Sequence, residues 1–244
     1  MKSLILLALI FSFKISAAET AFDIFNTYSP TIVKIQTRLN ASGTGFFVTP
    51  RLILTNRHVV RSYKKKQRQW DAPKLIVLKD GSEIKKFNSV HCSVRVDVCA
   101  ISVDPQPTIK TFSKLALIPS KVGQDVFVIG HPQGISNTII SSGIVSSENS
   151  LFPGIDHKGR EVVFKGFTTT AAVSHGSSGS PVLSSTGEIL GIAVGVVRGG
   201  QSLNVIIGSE ELSMFAKQIA KRDSDAVFTI QPDIPSTVYL FSLQ

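Results

Sequence analysis

Two cysteines among 244 residues are too few for a disulfide scaffold or for a zinc site built on four thiolates. The histidine and cysteine spacings match no metal signature, which argues against a metal-dependent hydrolase. Charged residues make up only 18% and hydrophobic ones 43%, a balance that excludes a disordered chain and supplies a real core. Glycine and proline stay at ordinary levels, so the chain is neither collagen-like nor of low complexity. No repeat, linker or composition break divides it, and its length suits one large domain or two small ones. What is in excess is positive charge: a net +9 raises anionic membranes or nucleic acid as partners.

The one long apolar run lies at the start. Lys2 precedes Leu4 to Phe13, and Ser16-Ala17-Ala18 precedes the polar Glu19-Thr20. A basic start, a short apolar stretch and small residues at the end describe a secretory signal peptide over residues 1–18, cleaved before Glu19. An uncleaved anchor is the alternative, although the run is short for a membrane span. Cleavage removes Lys2 and Lys14, leaves a charge of +7, and places a 19–244 domain in a secreted or periplasmic, oxidising location.

Phe22, Phe25 and Tyr28 before Pro30 predict a short N-terminal helix. Short β-prone runs follow as far as residue 207, at Thr31–Thr37, Gly45–Val48, Leu52–Leu54, Leu75–Leu78, Val98–Val103, Val126–Ile129, Ile139–Val145, Val162–Thr170, Pro181–Leu183, Ile189–Val197 and Leu203–Ile207. Asp80-Gly81 and Thr186-Gly187 predict hairpin turns. Many short strands without interleaved helices imply an all-β sandwich or barrel. A C-terminal helix starts at Ser209, with Met214, Phe215 and Ile219 on one face. The tail from 222 to 244 adds at most one strand.

Three local patterns carry chemistry. Gly176-Ser177-Ser178-Gly179-Ser180-Pro181 is a tight turn that can present a serine, with backbone amides aimed at a developing oxyanion. Three serines compete for that role. The elbow Gly-x-Ser-x-Gly of α/β-hydrolases does not fit, because position 180 is serine. His58 follows the apolar run Leu52–Leu54 and can be held as a general base. His91, His131, His157 and His175 lack that context, although His175 adjoins the serine turn. Asp97 interrupts the apolar stretch Val94–Ile101 and requires a donor, for which an imidazole N–H is suited. The bland alternative is a solvated aspartate or a surface pair with Arg95.

The order His58, Asp97, Ser178 is that of chymotrypsin. Ser42-Gly43-Thr44-Gly45-Phe46-Phe47, Leu54-Thr55-Asn56-Arg57-His58-Val59-Val60, Asp97-Val98-Cys99-Ala100-Ile101, Ile129-Gly130-His131-Pro132-Gln133-Gly134 and Ser142-Gly143-Ile144-Val145-Ser146 resemble, in sequence, the motifs of bacterial Do-like (HtrA) trypsin-type serine proteases. Gly187–Ile192 and Leu203–Ile207 extend the resemblance, which runs from about residue 30 to 215 within a core of about 30–221. The resemblance is to the protease domain only, and no PDZ domain is expected after it. The resemblance implies an all-β fold of two six-stranded antiparallel barrels, with a short N-terminal helix, a C-terminal helix and a triad in the cleft between the barrels. It implies a serine endopeptidase that acts on peptide or protein substrates without cofactor or metal.

By register the nucleophile is Ser178, with Gly176, Ser177 and Ser178 amides as the oxyanion hole. Ala172, Val173, Ser174 and His175 would line one side of the specificity pocket, and Ala193, Val194 and Gly195 the other. None of the wall residues carries a fixed charge. Ile192 stands where glutamyl endopeptidases of staphylococcal type carry a histidine, so small or medium apolar side chains are expected before the cleaved bond. Ser177 replaces the acidic residue that pairs with a new N-terminus in trypsin-type zymogens, and Thr170 stands where Do-like proteases usually have aspartate. A protease-fold binding or chaperone-like protein with an unproductive site is the rival reading.

Cys92 and Cys99 flank the loop leading to Asp97, and in an oxidising location a disulfide between them is expected, two buried thiols being the alternative. Arg61, Lys64, Lys65, Lys66 and Arg68, with Tyr63 and Trp70, offer a weak anionic contact or a solvated loop, and no specific nucleic acid is expected.

Overall fold

The computed structural model describes residues 20–37, 41–60, 63–64, 69–70, 73–109, 112, 114–116, 119–197, 200–220, 228–229 and 240–241. The expected signal peptide lies outside them, as do Arg61, Lys65, Lys66 and Arg68. Of the basic stretch only two backbone segments are described, β4 (Tyr63–Lys64) and β5 (Gln69–Trp70), which pair with each other. In the tail, β16 (Phe228–Thr229) pairs with β17 (Leu240–Phe241), one strand more than expected.

Helix α1 (Ala21–Tyr28) begins with a capping box, Thr20 and Asp23 each satisfying the other's backbone amide. The helix is where the sequence places it, but its face is rotated. A 3.6-residue turn carries Ile24 fully inward and leaves Phe22 exposed, because a strict three-residue spacing drifts around the cylinder.

The first half is a seven-stranded antiparallel sheet. Its strands are β1 (Ile32–Thr37), β2 (Ser42–Thr49), β3 (Leu52–Thr55), β6 (Pro73–Val77), β7 (Glu83–Ile84), β8 (Ser89–Cys92) and β9 (Cys99–Ser102), in the order β7-β6-β1-β2-β3-β9-β8. The second half closes as a ring of six strands: β10 (Asp125–Gly130), β11 (Ile139–Ile155), β12 (Glu161–Thr169), β15 (Asn204–Gly208), β14 (Ile189–Val196) and β13 (Pro181–Ser184). This is the two-barrel architecture expected, with closure complete in the second half and two free edges in the first. The disulfide Cys92–Cys99 is formed at the neck of the β8–β9 loop.

Alternation along the strands explains how the halves join. Phe47, Ile53, Cys99 and Ile101 fill the core of the first half, and Val126, Val128, Ala193 and Ile206 that of the second. Their neighbours Phe46, Leu52, Leu54, Val98, Ala100, Phe127, Ile129, Ile192, Val205 and Ile207 point the opposite way and make one apolar cluster shared by both halves. Both faces of these strands are therefore covered, which is why they read as apolar runs rather than as alternation.

Helix α3 (Ser209–Ala220) closes this cluster with Leu212, Phe215 and Ile219, while Met214 turns out to solvent, off the expected face. From its first turn Glu211, 2% exposed, receives the Arg95 guanidinium on both oxygens and the Lys165 amide on one. Arg95 is half-exposed and Glu211 buried, so the two partners are unequal. Arg95→Ala strands a buried carboxylate and is expected to lower unfolding stability by about 3 kcal/mol. Glu211→Ala frees an arginine that can reach water and is expected to lower it by about 2 kcal/mol. Urea denaturation of the two variants checks the order; an equal or inverted cost would show that the pair is not holding this seam.

Candidate active site

His58 stands in a one-turn helix, α2 (Arg57–Val60), directly after β3. Each flanking residue is tied to the β8–β9 loop. Asn56, fully buried, donates from Nδ2 to the Asp97 carbonyl at 2.8 Å. Arg57, also buried, donates to the carbonyls of Ser93 and Val96 on that loop and of Ile155 at the end of β11. Asp97 then meets His58 twice: Oδ1 accepts the His58 backbone amide at 2.9 Å, and Oδ2 lies 2.5 Å from Nδ1. Asp97 is on an irregular loop and half-buried, just before β9. Arg95 is engaged by Glu211, so the surface pair Asp97–Arg95 is not formed.

This geometry shifts both groups. Burial alone would lower the His58 pKa, but the charge and hydrogen bond of Asp97 outweigh it and hold the imidazole above its ordinary 6.5. Burial alone would raise Asp97, but the His58 charge, the two hydrogen bonds from His58 and the Arg57 charge hold it below 3.8. His131, by contrast, is pushed down by burial, only partly offset by its bond to the Ile135 carbonyl.

The three competing serines separate by burial. Ser177 and Ser180 are 3% and 0% exposed, whereas Ser178 is half-buried and reaches the surface. Gly176 and Gly179 adopt φ of +89° and +88°, which only glycine takes readily, and they form the two bends of the turn. Ser174–Ser177 closes with the Ser177 amide on the Ser174 carbonyl at 2.9 Å and Gly176 at the third position, a type II pattern. The carbonyl of His175, in the middle of that turn, accepts the Gln133 amide at 2.5 Å. The amides of Gly176 and Ser178 donate to no protein acceptor among the described residues. The Ser177 amide is spent on Ser174, which removes it from the expected oxyanion hole. The Ser177 hydroxyl, in place of the zymogen-type acid, accepts the Ser174 amide.

The two halves meet at Gly43. A β-carbon there would lie 2.6 Å from the Val59 methyls and 3.2 Å from the Ser178 carbonyl, so the missing side chain lets the turn approach the residue after His58. No hydrogen bond joins the Ser178 hydroxyl to the His58 ring, and bonds of this kind often tighten only with substrate.

Of the expected pocket residues, Ala172 and His175 are exposed, Val173, Ser174, Val194 and Gly195 are half-buried, and Ala193 is buried. One wall is tied to the serine turn, since Ala193 accepts the Gly179 amide and donates to the Ser180 carbonyl. Open space lies over Gly195. Thr170 performs a loop-ordering task without a carboxylate: its hydroxyl accepts the Ile144 amide and its own amide returns to the Ile144 carbonyl. Sequence reasoning missed Asn204, whose Nδ2 donates to Thr169 and Ala171 behind the pocket wall, and also Asn56, Arg57 and Thr44 as supports. An uncharged polar residue inside an apolar strand was the available signal for Asn204.

Residues 43–192 match the family model described as trypsin-like peptidase domain. The chain is 33% identical over 154 residues to a probable periplasmic serine endoprotease, DegP-like, of Halomonas elongata, covering 62% of this chain and 28% of that protein. It is 26% identical over 200 residues to the serine protease Rv3671c of Mycobacterium tuberculosis, covering 79% and 46%. The chain thus spans less than half the length of these relatives. The crystal structure of the active form of the M. tuberculosis protease superposes with a TM-score of 0.70 at 23% identity, covering 87% of this chain and 94% of that one, a likeness of fold.

The pair of shifts has a sign. His58, raised, adds stability that is complete below pH 6.5 and fades as pH climbs through its folded pKa. Asp97, lowered, adds stability that is complete above pH 3.8 and fades as pH falls through its folded pKa. The stability lost in Asp97→Asn should therefore be greatest between these two values, and NMR should show the His58 midpoint falling in that variant. A wild-type imidazole titrating below 6.5 would refute the assigned geometry.

Proposed function

The chain belongs to the trypsin-like peptidase family, and from that premise we propose that it is a secreted or periplasmic serine endopeptidase. The observation that carries the reading is the doubly hydrogen-bonded His58–Asp97 pair, met across Gly43 by a turn in which Ser178, alone among Ser177, Ser178 and Ser180, is accessible and has the unpaired Gly176 and Ser178 amides. Ser178 Oγ attacks the peptide carbonyl while His58 Nε2 takes its proton and later gives it to the leaving amine. Asp97 keeps the other ring nitrogen as the donor, so Nε2 is free to act as base. The Gly176 and Ser178 amides receive the negative charge that develops on the carbonyl oxygen. Water then releases the acyl group by the reverse proton path. The residues themselves supply every acid, base and nucleophile, so neither cofactor nor metal enters the scheme.

The pocket walls at 172–175 and 193–195 carry no fixed charge, which favours Ala, Val or Leu before the scissile bond. The DegP-like relative is named as periplasmic, and the signal peptide proposed for residues 1–18 leads to the same location, with 19–244 as one protease domain. A binding protein with an unproductive site would suit a turn whose His175 carbonyl fills the oxyanion position. Here that carbonyl is turned to Gln133 instead, which speaks for the enzyme.

A fluorophosphonate probe should label the mature 19–244 chain and Ser180→Ala, whose native hydroxyl is buried, but not Ser178→Ala. Ser178→Ala should also lower kcat by roughly 10⁵–10⁶-fold. An unlabelled, folded wild type would overturn the enzyme reading, and a cleavage profile dominated by Arg, Lys or Glu would overturn the pocket reading.

A further inference from the structure

Strand β2 does more than carry Gly43. Thr44, fully buried, holds the serine turn with three separate groups. Its amide donates to the Ser178 carbonyl at 2.8 Å. Its carbonyl accepts the Thr55 hydroxyl and lies where Gly179 has no β-carbon, 2.0 Å from the position such an atom would take. Its hydroxyl donates to the Gly176 carbonyl at 2.8 Å and accepts the His131 amide at 2.9 Å.

That hydroxyl sits at a junction. The Gly176 amide lies in one peptide plane with the His175 carbonyl, and that plane is linked through Gly176 φ and ψ to the next, which contains the Gly176 carbonyl. The first plane is fixed by Gln133, which holds the His175 carbonyl, and the second by Thr44, which holds the Gly176 carbonyl. Gln133, whose amide bonds His175, takes φ of +54°, a left-handed conformation that costs a non-glycine residue about 1 kcal/mol. The 131–135 loop must be held to keep that conformation, and the His131 amide on Thr44 Oγ1 is one of its anchors. A β-carbon on Gly176 would meet the His131 carbonyl and the Gln133 and Gly134 amides, so turn and loop are in direct contact as well. In a type I turn the His175–Gly176 peptide is rotated by roughly 150–170° from its type II orientation, which would turn the carbonyl toward the position the Gly176 amide now serves.

We propose that Thr44 is a positioning residue of the oxyanion site, its single hydroxyl locking the Gly176 carbonyl and the 131–135 loop into the arrangement that aims the Gly176 amide. The inference rests on the endopeptidase reading above. Thr44 touches no reacting atom. Its contribution is to the transition state, where the oxyanion exists, and not to substrate binding at the pocket walls.

The test compares Thr44→Val, which removes the hydroxyl at nearly constant volume, with Thr44→Ser, which keeps it, on peptide hydrolysis and on the ¹⁵N–¹H signal of Gly176. Removing one oxyanion donor outright costs about 10²–10³ in kcat, so loss of its aim alone should cost about 10–100-fold. T44V is expected to stay folded with kcat down by that factor, KM within about threefold, and the Gly176 signal shifted or broadened by exchange. T44S should recover most of the rate and the native Gly176 signal. Equal loss in T44S and T44V would assign the effect to packing and overturn the proposal, as would an unaltered kcat in T44V or a loss confined to KM. A wild type that hydrolyses nothing and takes no probe would instead remove the endopeptidase reading, and this inference with it. Wild-type turnover with an indifferent T44V would remove the inference alone.

Discussion

His58 and Asp97 lie beside strands of the seven-stranded sheet and Ser178 just before a strand of the six-stranded ring, so the distance from the pair to the serine is set by how the two halves meet. The apolar cluster shared by Phe46, Leu54, Ala100, Ile129, Ile192 and Ile207 supplies adhesion but little direction, since dispersion and hydrophobic burial are tolerant of small slides. Direction comes from polar contacts that cross the seam. Arg57 reaches the Ile155 carbonyl, Arg95 reaches Glu211, and Thr44 reaches Ser178 and Gly176. Each of the three has one end on an element that bears His58, Asp97 or Ser178 or lies next to one. The apolar seam sets how far apart the halves sit, and these contacts set their register.

The acid side of the site shows the same division of labour. Asp97 lies on a loop with no ladder of its own, and the bonds within the loop's backbone are few, Ser93 to Val98 and Val98 to Val96. The carbonyls of Ser93 and Val96 are instead satisfied by a buried guanidinium from outside the loop, and the neck is closed by Cys92–Cys99. That guanidinium belongs to Arg57, the residue before His58. Base and acid are thereby referenced to one buried side chain, and a movement of the loop cannot leave His58 behind. The cation also opposes protonation of His58, which leaves the Asp97 carboxylate, and not the general field, responsible for the raised imidazole.

The parts that were legible in the sequence are the parts written locally. His58 after an apolar strand, the glycines around Ser178 and the carboxylate in an apolar stretch can each be recognised within about ten residues, because a turn or a strand end is a local structure. What escaped is written across long separations. Thr44 and Gly176 are 132 positions apart, and Arg57 and Ile155 are 98 apart, with nothing in either neighbourhood to announce the partner. The length of β11 escaped for a different reason. Its pairing with β12 shifts register at Val145–Ser147 and again at Ser147–Ser150, and Asn149 turns to φ of +50°. Two irregularities so close together break the alternation on which strand reading depends, and the strand seemed to end at Val145. The face of α1 was misread because three-residue spacing was taken for helical periodicity, and the rotation that exposes Phe22 and buries Ile24 is the accumulated difference.

The departures from the family pattern at Ser177 and Thr170 bear on how such a turn can be held open. An acidic residue that must find a newly made positive terminus ties the shape of the turn to a chemical event elsewhere. A serine at 177 ties it to the adjacent Ser174 amide, and a threonine at 170 ties the neighbouring loop to the Ile144 backbone. These bonds are neutral and short in range, so they need neither a cleavage nor a distant charge to form. Neutral bonds of this kind contribute about 1 kcal/mol each, less than a buried ion pair can when its geometry is good. The turn must then draw its remaining rigidity from elsewhere, and the buried Thr44, with its amide, carbonyl and hydroxyl all directed at residues 176–179 or their immediate supports, is where the fold provides it. The same economy explains why residues 176 and 179 are both glycine. A turn gripped this closely from below leaves no room for a β-carbon at either bend, and at both the backbone φ is one that other residues resist.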